Sequence, residues 1–332
     1  MSELSVHADS RLTAIILAGG DGMRLQPLMR MVEGHDLPKQ FFALDGQHSL
    51  LEMTRSRVRN LVPDRNTVIV VNRSHARHYH PILSDVPAIN LIEQPGNCGT
   101  APAIAYALCR LCRKVPDAIV TIFPSDHFIS NDKKFMRNVE IAIEAVRSRP
   151  ALWVTLGIRA RAPETSYGWI EPGAAIGNNA DRILQVERFW EKPNYSLAEK
   201  LKAKGCYWNS FVMCARAEVL LFILAERMPR VYRALREATG ANDSEEEADL
   251  VAGLYADLEP VGFSENVLAA APSNLAVRPV DDVEWSDLGE PGRVVDAVSS
   301  AGLNPAWLTM AKKEISRSNS NSPNVAYGGK RV

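Results

Sequence analysis

Cysteine is scarce in this chain: five residues in 332, an odd number too thin to staple a fold of this length. That excludes a disulfide framework and points to a reducing compartment, with the cytoplasm as the expected location. A surplus of charge is missing too. Lys and Arg number 38 against 39 Asp and Glu, a net charge of −1, so no basic field would draw nucleic acid or an anionic membrane surface. Long apolar runs are absent, since residues 14–18 and 118–123 are strand-sized and far short of a bilayer span. Residues 1–10 are polar, with Glu3, His7 and Asp9, and do not read as a secretory leader; residues 1–11 are expected to be a flexible N-terminus. No internal repeat and no hexapeptide periodicity is found. What is present is the composition of an ordinary globular protein, 46% hydrophobic and 23% charged. The length suits one large α/β domain with an appendage, or two modest domains. A cytoplasmic enzyme is the leading expectation, with no nucleic-acid or membrane partner and with homo-oligomerisation open.

Short β-branched runs alternate with helical patterns through the first half. Residues 13–17, 67–71, 89–93 and 119–123 read as strands buried on both faces, and residues 50–61, 101–114 and 133–148 as helices. The alternation predicts βαβ units and a mainly parallel sheet. Thr100 followed by Pro102 predicts a cap and a first-turn proline for the helix over 101–114. After Pro150 the strands 152–158, 182–189, 207–214 and 275–280 are separated by longer connections, which suggests a mixed sheet with an antiparallel portion. Residues 217–258 read as a helical block whose acidic run, Glu245 to Glu247, is a solvated first turn favoured by the helix dipole. From about Lys312 the Ser-, Asn- and Lys-rich composition predicts a flexible tail.

The most informative segment is Leu17-Ala18-Gly19-Gly20-Asp21-Gly22-Met23-Arg24-Leu25, at the end of the first strand. Three glycines within four positions let the backbone turn tightly and present N–H groups to phosphate oxygens. Arg24 adds a fixed cation with several donors. A structural turn is the bland alternative, and the placement after a strand together with the arginine favours phosphate binding. The loop is not a dinucleotide fingerprint, because Leu25 stands where a third glycine would pack helix on strand; nor is it a Walker loop, because no Gly-Lys-Ser/Thr follows.

Here the sequence resembles the sugar-phosphate nucleotidyltransferases, in particular the mannose-1-phosphate guanylyltransferases, over roughly residues 12 to 295. The loop is similar to that family's Leu-Ala-Gly-Gly-x-Gly-x-Arg-Leu. Further segments resemble family motifs in family order: Pro38-Lys39-Gln40-Phe41, Thr100-Ala101-Pro102-Ala103-Ile104, Pro124-Ser125-Asp126-His127, Pro163-Glu164-Thr165-Ser166-Tyr167-Gly168-Trp169-Ile170, Phe189-Trp190-Glu191-Lys192-Pro193, Trp208-Asn209-Ser210 and Trp285-Ser286-Asp287-Leu288-Gly289. The resemblance implies a Rossmann-like, doubly wound mixed sheet of the nucleotide-diphospho-sugar transferase type, with an antiparallel sugar-binding portion and a helical C-terminal appendage. The nucleotide-binding half would be residues 12–150, the sugar-phosphate-binding half 151–295, and the C-terminal segment 296–332.

Nucleotidyl transfer is an in-line attack of a sugar-1-phosphate oxygen on the α-phosphorus of a nucleoside triphosphate. Its catalysis is mostly positioning and charge neutralisation, which calls for cations, glycine-rich backbone and a divalent metal. The resemblance implies GTP and mannose 1-phosphate as substrates. It implies nucleotide binding by Leu17, Ala18, Gly19, Gly20, Asp21, Gly22, Arg24, Gly99 and Thr100, and sugar-phosphate binding by Gly168, Glu191, Lys192 and Asn209. Arg24, Lys39, Asp126, Lys192 and Asp287 would be catalytic, and Asp126 and Asp287 would hold Mg²⁺, which takes one or two carboxylates with phosphate and water. At 332 residues the chain has no room for the isomerase domain of bifunctional relatives, so transferase activity alone is expected.

The chain departs from the family pattern at Met23, Gln26 and residues 97–100, which border the nucleotide, and at Phe211, which replaces a glycine beside the sugar. Other readings are a transferase for another sugar 1-phosphate or base, and a catalytically silent regulatory subunit that binds nucleotide-sugar. Cys109-x-x-Cys112 falls mid-helix without a second pair and reads as core. His75, His78 and His80 invite a zinc reading, but no carboxylate or cysteine stands beside them at ligand spacing, so a polar helix start is the plainer one. His127, next to Asp126, is a candidate to orient a metal ligand.

Overall fold

The computed structural model describes residues 11–177, 181–241, 244–270 and 273–321. Its strands are β1 (Leu12–Ala18), β2 (Thr67–Asn72), β3 (Leu91–Gln94), β4 (Ile119–Pro124), β5 (Phe128–Ile129), β6 (Trp153–Arg159), β7 (Gly168–Ala175), β8 (Leu184–Glu191), β9 (Tyr207–Arg216), β10 (Leu275–Val280) and β11 (Trp285–Ser286). The helices are α1 (Gln26–Glu33), α2 (Leu50–Arg59), α3 (Ala76–Ile82), α4 (Thr100–Lys114), α5 (Asp132–Ser148), α6 (Tyr195–Ala203), α7 (Ala217–Arg227), α8 (Pro229–Ala238), α9 (Ser244–Ala256), α10 (Phe263–Asn266), α11 (Pro291–Ser300) and α12 (Leu308–Asn321).

One mixed sheet carries the site. Its order is β3-β2-β1-β4-β9-β6-β10-β8-β7. The first four strands are parallel. β9 enters antiparallel between β4 and β6, β10 is parallel to β6, and β8 and β7 are antiparallel additions, with β7 pairing also to β9. β5 and β11 form a separate antiparallel pair.

The sequence of β1 explains why both faces are covered. Successive side chains of a strand leave opposite faces, so a strand without polar alternation needs burial on both. Leu12, Ala14, Ile16 and Ala18 join one core with Leu51 of α2 and Val139 of α5. Ile15 joins the other with Ile104 and Leu108 of α4 and Leu220 of α7. Each large apolar side chain so buried contributes about 1.5–3 kcal/mol. Local signals set the helix starts. Ser49 and Glu52 form a reciprocal capping box for α2, and Asn131 caps α5 by accepting from the Lys134 N–H at 2.9 Å.

Several expectations are corrected. β3 starts at Leu91, because residues after Pro87 turn in a 3-10 helix that leaves Ile89 exposed. β7, which the strand pattern did not include, buries Trp169 and Ile170 completely. The cap of α4 is Gly99, not Thr100. Its φ is +86°, where a Cβ would stand 2.5 Å from the Val261 carbonyl oxygen. Thr100 instead accepts the Phe263 N–H at 2.8 Å. The block 217–258 divides into three helices, with Pro229 starting the second. Glu245 and Glu246 are exposed in the first turn of α9, whereas Glu247 turns inward to the Tyr106 hydroxyl at 2.9 Å. The flexible tail expected from about Lys312 is helix as far as Asn321, because Trp307, Leu308 and Ala311 are buried and anchor α12. Residues 1–10 and 322–332, expected to be flexible, lie outside the described residues. Among the described residues no helix is long and apolar enough to cross a membrane.

Candidate active site

Register decides where the functional loops emerge. Ala18 of β1 sits opposite Val71 of β2, and Leu17 opposite Pro124 of β4, so the connections after these strands leave the same carboxyl edge. Such an edge is where open α/β sheets bind ligands. A cleft of about 370 Å³ opens there. It is lined by Leu17, Gly19, Gly20, Gln40, Gln94, Gly99, Thr100 and Asp126 from the first half, and by Tyr167, Gly168, Glu191, Asn209, Phe211, Trp285 and Asp287 from the second.

Buried amides hold the glycine loop. Gln40 Nε2 donates to the carbonyls of Ala18 at 2.8 Å and Gly20 at 2.9 Å. Gln26 Nε2 donates to the Asp21 carbonyl at 3.1 Å, while its Oε1 accepts the Leu37 N–H. Gly19 needs its missing side chain, since a Cβ would lie 2.6 Å from Gln94 Nε2. Gly22, at φ +61°, turns the chain onto the Lys39 backbone. Side-chain amides thus occupy the carbonyls of Ala18, Gly20 and Asp21, while the Gly22 carbonyl accepts the Leu25 N–H at 3.0 Å. Asp21 does not line the cleft. Its carboxylate accepts from Asn97 Nδ2 at 2.7 Å and faces His75 Nε2 at 3.1 Å, so its role is to fix the loop. Ala18 and Gly22 likewise shape the loop from behind the lining.

Opposite charges meet below the loop. Lys39 is buried, with Nζ 2.8 Å from Asp126 Oδ2 and donating to the Asp287 backbone carbonyl. Burial works against the Asp126 charge, but Lys39 and then His127 outweigh it and hold the carboxyl below its ordinary range. Asp287 Oδ1 accepts from the Gly289 N–H and from Arg293, both at 2.8 Å. Its Oδ2 faces Arg24 at 4.0 Å. Arg24 itself is 60% exposed and is not among the residues that line the cleft. His127 Nε2 stands 3.6 Å from Asp126 Oδ1, its ring edge-on to Trp285. Burial lowers its pKa in spite of the Asp126 carboxylate beside it.

The other end of the cleft suits hydroxyl groups. Asn209 Oδ1 accepts from Thr155 Oγ1 and the Phe211 N–H, each at 3.1 Å, which leaves Nδ2 as a donor. Glu191 is an acceptor whose buried Oε2 has no hydrogen-bond partner, and burial raises its pKa. At Gly168 a Cβ would lie 2.6 Å from Phe189 and 3.0 Å from Glu191 Oε2, so only glycine leaves that acceptor clear. Lys192 does not line the cleft. It stands beside it, 54% exposed at φ +45°, 3.2 Å from Glu191 and 3.7 Å from Glu265.

Sequence reasoning missed Gln40, Gln26, Gln94, Tyr167 and Arg293 as site-building residues. Gln40 and Tyr167 lie inside family-like motifs and could have been found there. Arg293 had no local signal: it reaches from α11 to Asp287, Glu164 and Ser166, and stacks on Tyr167. The histidines form no metal centre. Phe41 packs against both His75 and His78, and among the described residues no three His, Cys, Asp or Glu are placed to hold an ion. Burial pushes the thiols of Cys109 and Cys112 up to about 12 and about 11, which makes them unreactive. Asp126 and Asp287 line one cleft; Lys39 engages Asp126 Oδ2 and Arg293 engages Asp287 Oδ1, and the other two oxygens have only the longer approaches of His127 at 3.6 Å and Arg24 at 4.0 Å. The remaining oxygens are hard donors of the kind Mg²⁺ takes alongside phosphate and water, so the residues fit that ion.

Comparisons with known proteins agree with this chemistry. The sequence model of a family described as nucleotidyl transferase matches residues 13–301. The chain is 32% identical over 282 residues to the mannose-1-phosphate guanylyltransferase of Klebsiella pneumoniae, covering 84% of this chain and 58% of that protein. It is 33% identical over 302 residues to the xanthan biosynthesis protein XanB of Xanthomonas campestris pv. campestris, covering 90% of this chain and 62% of that one. The chain therefore spans about three fifths of the length of these relatives. Among solved structures it resembles a mannose-1-phosphate geranyltransferase from Thermus thermophilus, with a TM-score of 0.75, 26% identity, and coverage of 87% and 79% of the two chains.

Proposed function

The chain belongs to the nucleotidyl transferase family, and we propose that it joins GTP to mannose 1-phosphate, giving GDP-mannose and pyrophosphate. The observation that carries this reading is one cleft lined by the amide-braced glycine loop, by Asp126 and Asp287, both in contact with Lys39, and by Glu191 and Asn209. The names of the relatives support the choice of guanine and mannose.

In the proposed reaction an oxygen of the sugar 1-phosphate forms a bond to the α-phosphorus while the bond from that phosphorus to the β-phosphate oxygen breaks. No covalent enzyme intermediate is needed. The loop N–H groups and Arg24 bind the β- and γ-phosphates and stabilise the charge that collects on the leaving pyrophosphate. Lys39, already seated between Asp126 and the Asp287 carbonyl, neutralises charge near the α-phosphate. Leu17, Gly99 and Thr100 line the nucleotide end, and Lys192 swings from its glutamates to the attacking phosphate. Glu191 and Asn209 Nδ2 hold sugar hydroxyls. Mg²⁺, held by Asp126 and Asp287, would supply charge neutralisation between donor and acceptor phosphates.

We read the architecture as Rossmann-like and doubly wound, with 12–150 the nucleotide half, 151–295 the sugar half, and α11 and α12 a helical appendage. The parallel order β3-β2-β1-β4 with cores on both sheet faces supports it. We place the protein in the cytoplasm, a reading that the cysteine usage supports. The test is a matrix of nucleoside triphosphates against sugar 1-phosphates, with pyrophosphate release followed with and without Mg²⁺. Release that is greatest for GTP with mannose 1-phosphate is expected. Another best pair would change the substrates, and no release from any pair would leave a regulatory nucleotide-sugar-binding protein.

A further inference from the structure

Phe211 has a backbone that its side chain does not favour. Its φ is +61°, in the left-handed region where a bulky residue is an outlier and glycine is at ease. The cause lies in the pairing of β9 with β6. Asn209 pairs with Gly157 and Met213 with Thr155, so three residues, 210 to 212, stand opposite Leu156 alone. That is a bulge, a device that re-aims a side chain and is common beside active sites.

The surroundings over-determine this conformation. Ser210 Oγ donates to the Leu156 carbonyl at 2.7 Å and accepts the Val212 N–H at 3.1 Å. Thr155 Oγ1 contacts both Asn209 Oδ1 at 3.1 Å and the Val212 carbonyl at 3.3 Å. The Phe211 N–H closes the turn onto Asn209 Oδ1. Strain persists where neighbours impose it, and it concentrates at sites where it serves a purpose. Here the bulge turns the Phe211 ring out of the strand's buried row and into the wall of the cleft, edge-on to Phe263 at 6.0 Å between ring centroids. Phe211 stands two residues from Asn209 and lines the same cleft as Gly168 and Glu191.

We propose that Phe211 determines substrate size: its ring closes the sugar end of the cleft, so that unsubstituted hexose 1-phosphates enter and N-acetylhexosamine 1-phosphates are excluded. The proposal rests on the sugar-phosphate reading of the Glu191–Asn209 end. A pocket wall rejects an added group by steric overlap, typically with roughly ten- to two-hundredfold discrimination.

Phe211→Gly isolates the ring from the backbone, because glycine adopts φ +61° without strain. Phe211→Asn, a residue that tolerates the left-handed region, is the second variant should the first fold poorly. Equilibrium binding of mannose 1-phosphate and of N-acetylglucosamine 1-phosphate is measured for wild type and both variants, alongside GTP affinity and pyrophosphate release. Wild type is expected to favour the hexose at least tenfold, and the variants to relax that ratio by about tenfold or more. A ratio unchanged within about twofold in both variants overturns the proposal, as does a loss of GTP affinity equal to the shift in sugar binding. Wild type that binds neither sugar phosphate overturns the proposal together with the reading beneath it. Wild type that binds mannose 1-phosphate without releasing pyrophosphate removes the transfer reaction alone, and the binding ratio still decides the role of Phe211.

Discussion

Lys39 places its ammonium 2.8 Å from Oδ2 of Asp126, joining the turn that follows α1 to the turn after β4. The lysine is buried, and its second contact, to the Asp287 carbonyl, comes from the far end of the chain. Removing the cation by Lys39→Met leaves a carboxylate in a site that disfavours its charge. Turnover should fall by about 10²–10³-fold, the usual cost of one preorganised electrostatic contact. Stability should fall by about 1–3 kcal/mol. Steady-state kinetics and denaturant titration check both; near-normal turnover in a folded variant would make Lys39 a structural residue only.

Asp126 and Asp287 should behave as one unit. Asp126→Asn and Asp287→Asn keep shape and remove charge, so each folds while turnover drops steeply. The double variant should cost little more than the worse single, because on the proposed reading either loss would disable the same ion. Losses that add in free energy would assign the two carboxylates separate roles. Titration of Mn²⁺ as a probe ion, followed by magnetic resonance, should show the affinity weakened by either change alone.

Gln40 braces the loop through its amide N–H groups, which a carboxylate lacks. In Gln40→Glu an oxygen replaces Nε2 opposite the carbonyls of Ala18 and Gly20. Unsatisfied buried acceptors cost about 1–3 kcal/mol each, more when charged, so Gln40→Glu should be less stable than Gln40→Ala. Nucleotide affinity should fall in both. Thermal melts that rank them the other way would mean the brace does not form.

His75 supplies a pH dependence. Burial lowers its pKa in spite of the Asp21 carboxylate beside it. The folded-state pKa therefore lies below the unfolded value of about 6.5. Below that value the unfolded chain takes up a proton that the folded chain refuses, so this contribution to stability is complete above about pH 6.5 and is lost as pH falls from there through the folded pKa. Denaturation of wild type and His75→Gln between about pH 7.5 and 5 should show a shallower decline in the variant. Parallel curves would remove His75 from the account, and a proton resonance titration of its ring gives the pKa directly.

The parallel half was legible because burial on both faces leaves continuous apolar runs, and α2 and α5 carry their own side-chain caps. β7 was not, because its Gly168 and Pro172 weaken any local strand signal and its pairing to β8 and β9 is tertiary. The helix at the C-terminus was hidden for a related reason: its composition is polar, and only contact by Trp307, Leu308 and Ala311 anchors it. Thr100 was misjudged because a cap depends on the entering chain, and the chain enters through Gly99 pressed against Val261.

Residue chemistry confined to short segments was determined by the sequence alone. The glycine loop with Arg24 pointed to phosphate binding, because turn geometry and charge are local properties; the roles of the lysines and the two aspartates came from the motifs' resemblance to a family. Only the tertiary structure decided which groups share a volume. Asp21 turned out to brace the loop through His75 and Asn97. Lys192 was set beside the cleft rather than in it. Arg293 was brought onto Asp287 from α11, and a bulge in β9 turned Phe211 into the wall. These depend on strand register and on helices packed across the sheet, and a side chain's partners across such distances are not written in its neighbours along the chain.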